Sequence, residues 1–202
     1  MAALELYYDF SSTNAYFAAF LAPELCRRLE VKLLWRPYHL GHAFRQRNHS
    51  VLRDHSPEKL QYLWLDHQRW SERTGLAFKR PSRFPIKTST ALRASLVARA
   101  LGREQDYVQA TMRAYWVDDR DIARPEVVAE VATELGLDGA ALVARAEADD
   151  TRAELVRLTD EGIARGVFGA PMFFVGEAMF WGKDRLDFAE EALRDAKAAE
   201  LC

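Results

Sequence analysis

Sulfur is scarce in this chain of 202 residues, whose two cysteines, Cys26 and Cys202, stand far apart. Two distant thiols make neither a disulfide framework nor a zinc ligand set. Cys26 falls in an apolar helical pattern and reads as a core residue. Long apolar runs are missing as well: no stretch approaches the roughly 18 residues of a membrane span. The opening Met-Ala-Ala-Leu-Glu-Leu lacks the basic region and apolar stretch of a signal peptide. Nor does one sign of charge dominate. With 28 Lys and Arg against 30 Asp and Glu, the net charge is −2, too little to gather nucleic acid or an anionic membrane. These absences predict a chain of the reducing cytoplasm, with neither membrane nor nucleic acid as partner. All five histidines lie between His39 and His67. His39 and His42 are three apart, but no acidic residue or cysteine is spaced to complete a tetrahedral site, so no metal is expected.

What is present suffices for a core. At 49% hydrophobic and 29% charged residues the composition is that of an ordinary globular protein, and the length allows one large domain or one domain carrying an insertion. Ala3 to Asp9 suits a strand. Ser11, Ser12, Thr13 and Asn14 follow, each a good helix N-cap. From Ala15 the pattern is helical, with Pro23 expected to kink or split the helix. A second strand, Val31 to Arg36, ends at Pro37, and this strand-helix-strand unit should be right-handed and parallel.

Tyr38 to about Ser56 is irregular and basic. Helical patterns then run over 57–75, 89–101, 104–117, 125–135, 138–148 and 151–165, with an extended connection from Phe78 to Pro85. The aromatic stripe Tyr62, Trp64 and Trp70 reads as helix packing that also forms part of an apolar pocket wall. Gly102, Gly136 and Gly166 sit where C-caps belong.

The chain closes on a strand beginning at Pro171, a tight turn at Gly176-Glu177, a second strand, and a charged amphipathic helix. Pro171 cannot donate to a central ladder, so it occupies a strand start or an edge, and a cis peptide after Ala170 is one explanation. The β structure at both ends with helices between predicts an α/β thioredoxin-like fold. Residues 1–40 and 166–202 would form that domain and 41–165 a mostly helical insertion. In such a fold the start of the first helix meets the loop before Pro171. Redox members carry Cys-x-x-Cys at that turn; here stands Ser12-Thr13-Asn14-Ala15, which excludes disulfide exchange there. Any thiolate must come from a ligand.

Asp9-Phe10-x-Ser12-x-x-Ala15-Tyr16, Trp35-Arg36-Pro37 with Leu40-Gly41, and Gly166 to Pro171 through Phe180-Trp-Gly-x-Asp184-Arg185-Leu186 resemble 2-hydroxychromene-2-carboxylate isomerases. The resemblance spans nearly the whole chain, and its C-terminal block is the most specific part. It implies a thioredoxin-like fold related to kappa-class glutathione transferases, glutathione as cofactor, a small aromatic substrate and a homodimer. It implies that Ser12 points its hydroxyl at the glutathione sulfur, with the N-terminal end of the helix favouring thiolate. Ala170, before cis-Pro171, would pair its backbone with the cysteinyl part. Lys183 and Asp184 would lie at the γ-glutamyl end, and Asn48 would approach the tripeptide. Three departures bear on the substrate: Thr13-Asn14 stands where Pro-Tyr is usual, Lys87 where asparagine is common, and the loop Asn48-His-Ser-Val51 has lost its prolines. Asn14 and Lys87 are therefore the expected substrate-pocket residues. Ser11 competes with Ser12 as cap, a kappa-type transferase shares the same site, and a non-catalytic binding protein of the same fold is the third reading.

Overall fold

The computed structural model describes residues 2–48 and 56–200. His49, His55, the loop as far as Val51 and Cys202 lie outside them. Four strands form one sheet in the order β2-β1-β3-β4: β1 Ala3–Tyr8, β2 Lys32–Pro37, β3 Met172–Val175 and β4 Ala178–Trp181. β1 and β2 run parallel, while β3 is antiparallel to both β1 and β4. Leu6 sits between Trp35 and Phe173 in register. The sheet thus joins both ends of the chain in the thioredoxin arrangement, as the strand pattern predicts.

The central strands are buried on both faces, which matches their runs of apolar residues. Leu4, Leu6 and Tyr8 point to one side, and with Phe173 and Val175 they enter the main core. Tyr7 points to the other and packs with Tyr38, Val167, Met172 and Phe174. Pro171 precedes the first paired residue of β3, and its carbonyl accepts from Gly182 N at 3.1 Å. The Ala170–Pro171 bond is cis, and so is Phe84–Pro85.

Helix α1, Thr13–Leu29, starts at Ser12 and is not split at Pro23. Proline removes the N–H that would pair with the carbonyl of Ala19. Gln109 Nε2 donates to that carbonyl at 3.0 Å instead, so the ladder gap is filled from a neighbouring helix. A second departure lies in the stretch read as irregular: α2, Leu40–Gln46, occupies part of it. Helices α3 Pro57–Thr74, α4 Ser89–Ala100, α5 Glu104–Trp116, α6 Pro125–Glu134, α7 Gly139–Ala146 and α8 Asp149–Ala164 follow, and α9 Leu186–Glu200 ends the fold after a single 3-10 turn, Lys183–Arg185. Gly102, Gly136 and Gly166 carry φ of 70°, 77° and 94° past helix ends, the left-handed caps their positions predict.

Two buried bonds tie the helical layer to the sheet. Tyr8 Oη donates to Ser95 Oγ at 2.8 Å, and Trp116 Nε1 donates to the Phe10 carbonyl at 2.9 Å. The first holds the end of β1 and the second the segment between β1 and α1. Among the described residues no helix is long and apolar enough to cross a membrane.

Candidate active site

The turn between β1 and α1 is held by its own polar groups. Asp9 is buried; its Oδ1 accepts from Ser11 N at 2.8 Å and its Oδ2 from Leu40 N at 2.9 Å. Burial pushes its carboxyl up to about 6 against those bonds. Ser11 Oγ accepts from Ile86 N at 3.3 Å, which spends Ser11 on the connection before α4. Ser12 is the cap. Its backbone is extended, at φ −95° and ψ 118°, and its Oγ accepts from Ala15 N at 3.2 Å. The same Oγ donates to the carbonyl of Ala170 at 2.8 Å.

That carbonyl precedes Pro171, so the first helix and the cis-proline loop meet at one hydroxyl. Beside it Gly169 packs closely on Trp181: a Cβ there would lie 2.9 Å from Trp181 Nε1. Around this meeting point opens a cavity of about 420 Å³. Its polar edge is the turn Ser11–Asn14 and its apolar wall includes Phe44, Leu60, Trp64 and Phe84. Phe168 and Trp181, edge to face at 5.0 Å, also line it and stay largely exposed.

The family model for the DSBA-like thioredoxin domain matches residues 3–194. The chain belongs to the DsbA-like thioredoxin family. It is 30% identical over 196 residues to a 2-hydroxychromene-2-carboxylate isomerase of Sphingobium xenophagum, covering 95% of this chain and 98% of the relative. A solved 2-hydroxychromene-2-carboxylate isomerase superposes with a TM-score of 0.88 at 24% identity, over 99% of each chain. The cytosolic disulfide reductase DsbM of Pseudomonas aeruginosa, solved with GSH, aligns over 98% of each chain at 20% identity with a TM-score of 0.66. These two solved structures carry the fold only.

Within this DsbA-like frame the expected site residues divide. Ser12, Asn14 and Ala170 line the cavity, with Pro171 buried behind Ala170. Lys183 and Asp184 line a separate hollow of about 350 Å³, with Trp70 and Arg73. Lys183 is buried, and its Nζ lies 2.9 Å from Asn14 Oδ1, 3.5 Å from Asp66 Oδ2 and 4.5 Å from the Trp70 ring centre. Burial lowers its pKa against the pull of Asp66. Asp184 is half exposed beside Arg185. Asn48 is exposed just after α2 in a left-handed conformation, φ 50°, and Lys87 is exposed; neither belongs to the cavity wall.

Two residues of the wall carry chemistry that no sequence signal marked. His67 is buried under the cavity, stacked on Phe17 and Phe78. Its Nε2 lies 3.2 Å from Asn14 Oδ1 and its Nδ1 against the Leu63 carbonyl. Burial pulls it down to about 4, so the ring is neutral at pH 7. Lys59, exposed at the start of α3, is then the cation of the cavity wall among the described residues. Among the described residues no three of His, Cys, Asp and Glu converge as a metal set.

Proposed function

We propose that this chain is a glutathione-dependent isomerase. It interconverts 2-hydroxychromene-2-carboxylate and trans-o-hydroxybenzylidenepyruvate, or a closely related intermediate of aromatic breakdown. The observation that carries the reading is a sulfur-free helix cap, Ser12, paired with the carbonyl of Ala170 on the wall of an apolar cavity. Three relatives named 2-hydroxychromene-2-carboxylate isomerase support it.

Glutathione fits this place on two counts. Among the described residues the Ala170 N–H donates to no protein group, and its carbonyl takes only the Ser12 hydroxyl. Those two groups lie in the bend just before β3, where an extended cysteinyl backbone would pair with them once the Ser12 hydroxyl turns away. The cavity also offers a hydroxyl and a helix N-terminus but no thiol. Cys26 is no substitute, since it is buried and burial pushes its thiol up to about 12. When bound, glutathione supplies a nucleophile for reversible addition to a conjugated carbon, which frees a double bond to rotate.

The chain's own residues set the conditions. Ser12 Oγ–H can turn from the Ala170 carbonyl to an anionic sulfur, and the positive end of α1 favours that charge. Phe44, Leu60, Trp64 and Phe84 exclude water, which strengthens both effects. Lys59 provides the positive charge that an anionic substrate requires at the wall. Asp184 and Asn48 remain the proposed partners of the tripeptide's polar ends.

The test is to follow interconversion of the chromene and its open-chain isomer by ultraviolet absorbance, with and without glutathione. Glutathione-dependent turnover that falls in Ser12→Ala is the expected result. Equal rates without glutathione would overturn the reading. A stable aryl conjugate in place of isomer would instead assign a transferase.

A further inference from the structure

The contact between Asn14 and Lys183 links the cavity wall to a buried charge. An amide has two faces, an acceptor oxygen and a donor nitrogen, and its neighbours decide which way it turns. Lys183 Nζ is a donor without acceptor capacity, so the atom it meets at 2.9 Å must be Asn14 Oδ1. The Asn14 nitrogen then faces away from Lys183. It donates to no protein group among the described residues, and it is not among the sealed polar atoms. Asn14 lines the cavity, and with its oxygen on Lys183 the N–H pair is the group left available to a ligand there, two residues from Ser12.

His67 makes this orientation a contest. In the neutral ring one nitrogen carries hydrogen, and Nδ1 lies against the Leu63 carbonyl, where a hydrogen is needed. Nε2 is then a lone pair 3.2 Å from Asn14 Oδ1. On its own it would favour the opposite turn of the amide, with Asn14 nitrogen donating to the ring. Lys183 overrides that preference, because a bond from a charged donor is roughly twice as strong as a neutral one. Asp66, 3.5 Å from Nζ, supports the charge.

We propose that the Asn14 side-chain amide, held by Lys183 with its nitrogen toward the cavity, is the hydrogen-bond donor that selects a ligand bearing a carboxylate or carbonyl oxygen, as a 2-keto carboxylate does. Lys183 is the positioning residue and His67 its competitor. The ligand class rests on the isomerase reading; the orientation of the amide does not.

The probe is benzylidenepyruvate added to the glutathione-free protein, with binding measured by calorimetry and the Asn14 side-chain N–H pair followed by ¹⁵N NMR. The probe should move that pair in the wild type. Asn14→Ala should weaken the probe by about tenfold and glutathione by much less. Lys183→Met should weaken it too, by letting the amide turn to His67. His67→Leu removes the competitor, so Lys183→Met should cost little in that background. The inference is overturned if the wild type does not bind the probe or the Asn14 pair stays unmoved. It is also overturned if Asn14→Ala weakens both ligands equally, or if Lys183→Met costs the same with and without His67. Probe binding through Asn14 without chromene turnover would sink the isomerase reading alone. Ser12-dependent turnover with an unmoved Asn14 pair would sink the donor alone.

Discussion

Ser12 Oγ and the carbonyl of Ala170 lie 2.8 Å apart although 158 residues separate them in the chain. That one hydroxyl closes the sheet's two halves over the site, because it also accepts from Ala15 N and starts α1. A residue with both duties should lose both when truncated. Ser12→Ala is expected to lower stability by about 1 kcal/mol through the lost cap, read by chemical denaturation. In the isomerase assay it should lower kcat about a hundredfold, the scale of a lost donor to a developing anion, with a smaller change in glutathione affinity. An unchanged kcat would reduce Ser12 to a cap.

The same position tests the helix terminus without any ligand. Ser12→Cys places a thiol at the start of α1, where unpaired N–H groups and the positive dipole end favour thiolate. Its pKa is expected below the free value of about 8.5, measured by the pH dependence of alkylation after subtraction of the wild-type rate. Cys26 adds little background, being buried with its thiol pushed up to about 12. A thiol that titrates above the free value would show that this terminus does not favour an anion.

Asp9 should leave a signature in the pH dependence of stability. Its folded pKa is raised from 3.8 to about 6 by burial. The stability it contributes is therefore fully present below 3.8 and is lost as pH rises through about 6. His39 and His67, both pulled from 6.5 to about 4 by burial, act oppositely: their contribution is present above 6.5 and is lost as pH falls towards 4. The wild-type curve mixes these trends, so the difference from Asp9→Asn isolates the carboxyl. That difference should change by about 2 kcal/mol between pH 4 and pH 6, measured by denaturant titration. A flat difference would mean that the Ser11 and Leu40 N–H groups offset burial, and a reversed slope that they outweigh it.

The strands and most helices were legible because each leaves a local mark: apolar runs, caps, or a proline before a strand; the Ser12–Pro171 meeting followed from the thioredoxin-like fold that they imply. α2 was not. His39 precedes it without a side-chain capping bond, and its seven residues are too few for a clear period, although Leu40, Ala43 and Phe44 have helical spacing. The role of His67 left no mark either, since it reads as one more residue on a helical face until α3 packs over Asn14. Lys183 was placed at a ligand by its position after Trp181-Gly182. Only the packing of α1, α3 and the turn before α9 reveals that its charge turns inward to Asn14 and Asp66.

Pro23 offers a last test of how tertiary contacts replace local rules. The carbonyl of Ala19 is buried and has lost its usual partner four residues on, yet Gln109 Nε2 reaches it at 3.0 Å from α5. Gln109→Leu should therefore cost about 1–3 kcal/mol, the penalty for an unsatisfied buried acceptor, read by thermal or denaturant unfolding. Pro23→Ala restores the missing N–H within α1. In the Gln109→Leu background it should recover most of that loss, whereas in the wild type its new N–H competes with Gln109 for an acceptor already satisfied. The double-mutant cycle should thus show a coupling of about 1 kcal/mol or more. Additive effects would mean that the Ala19 carbonyl finds another donor, and that Gln109 is not what lets a proline sit inside an unbroken helix.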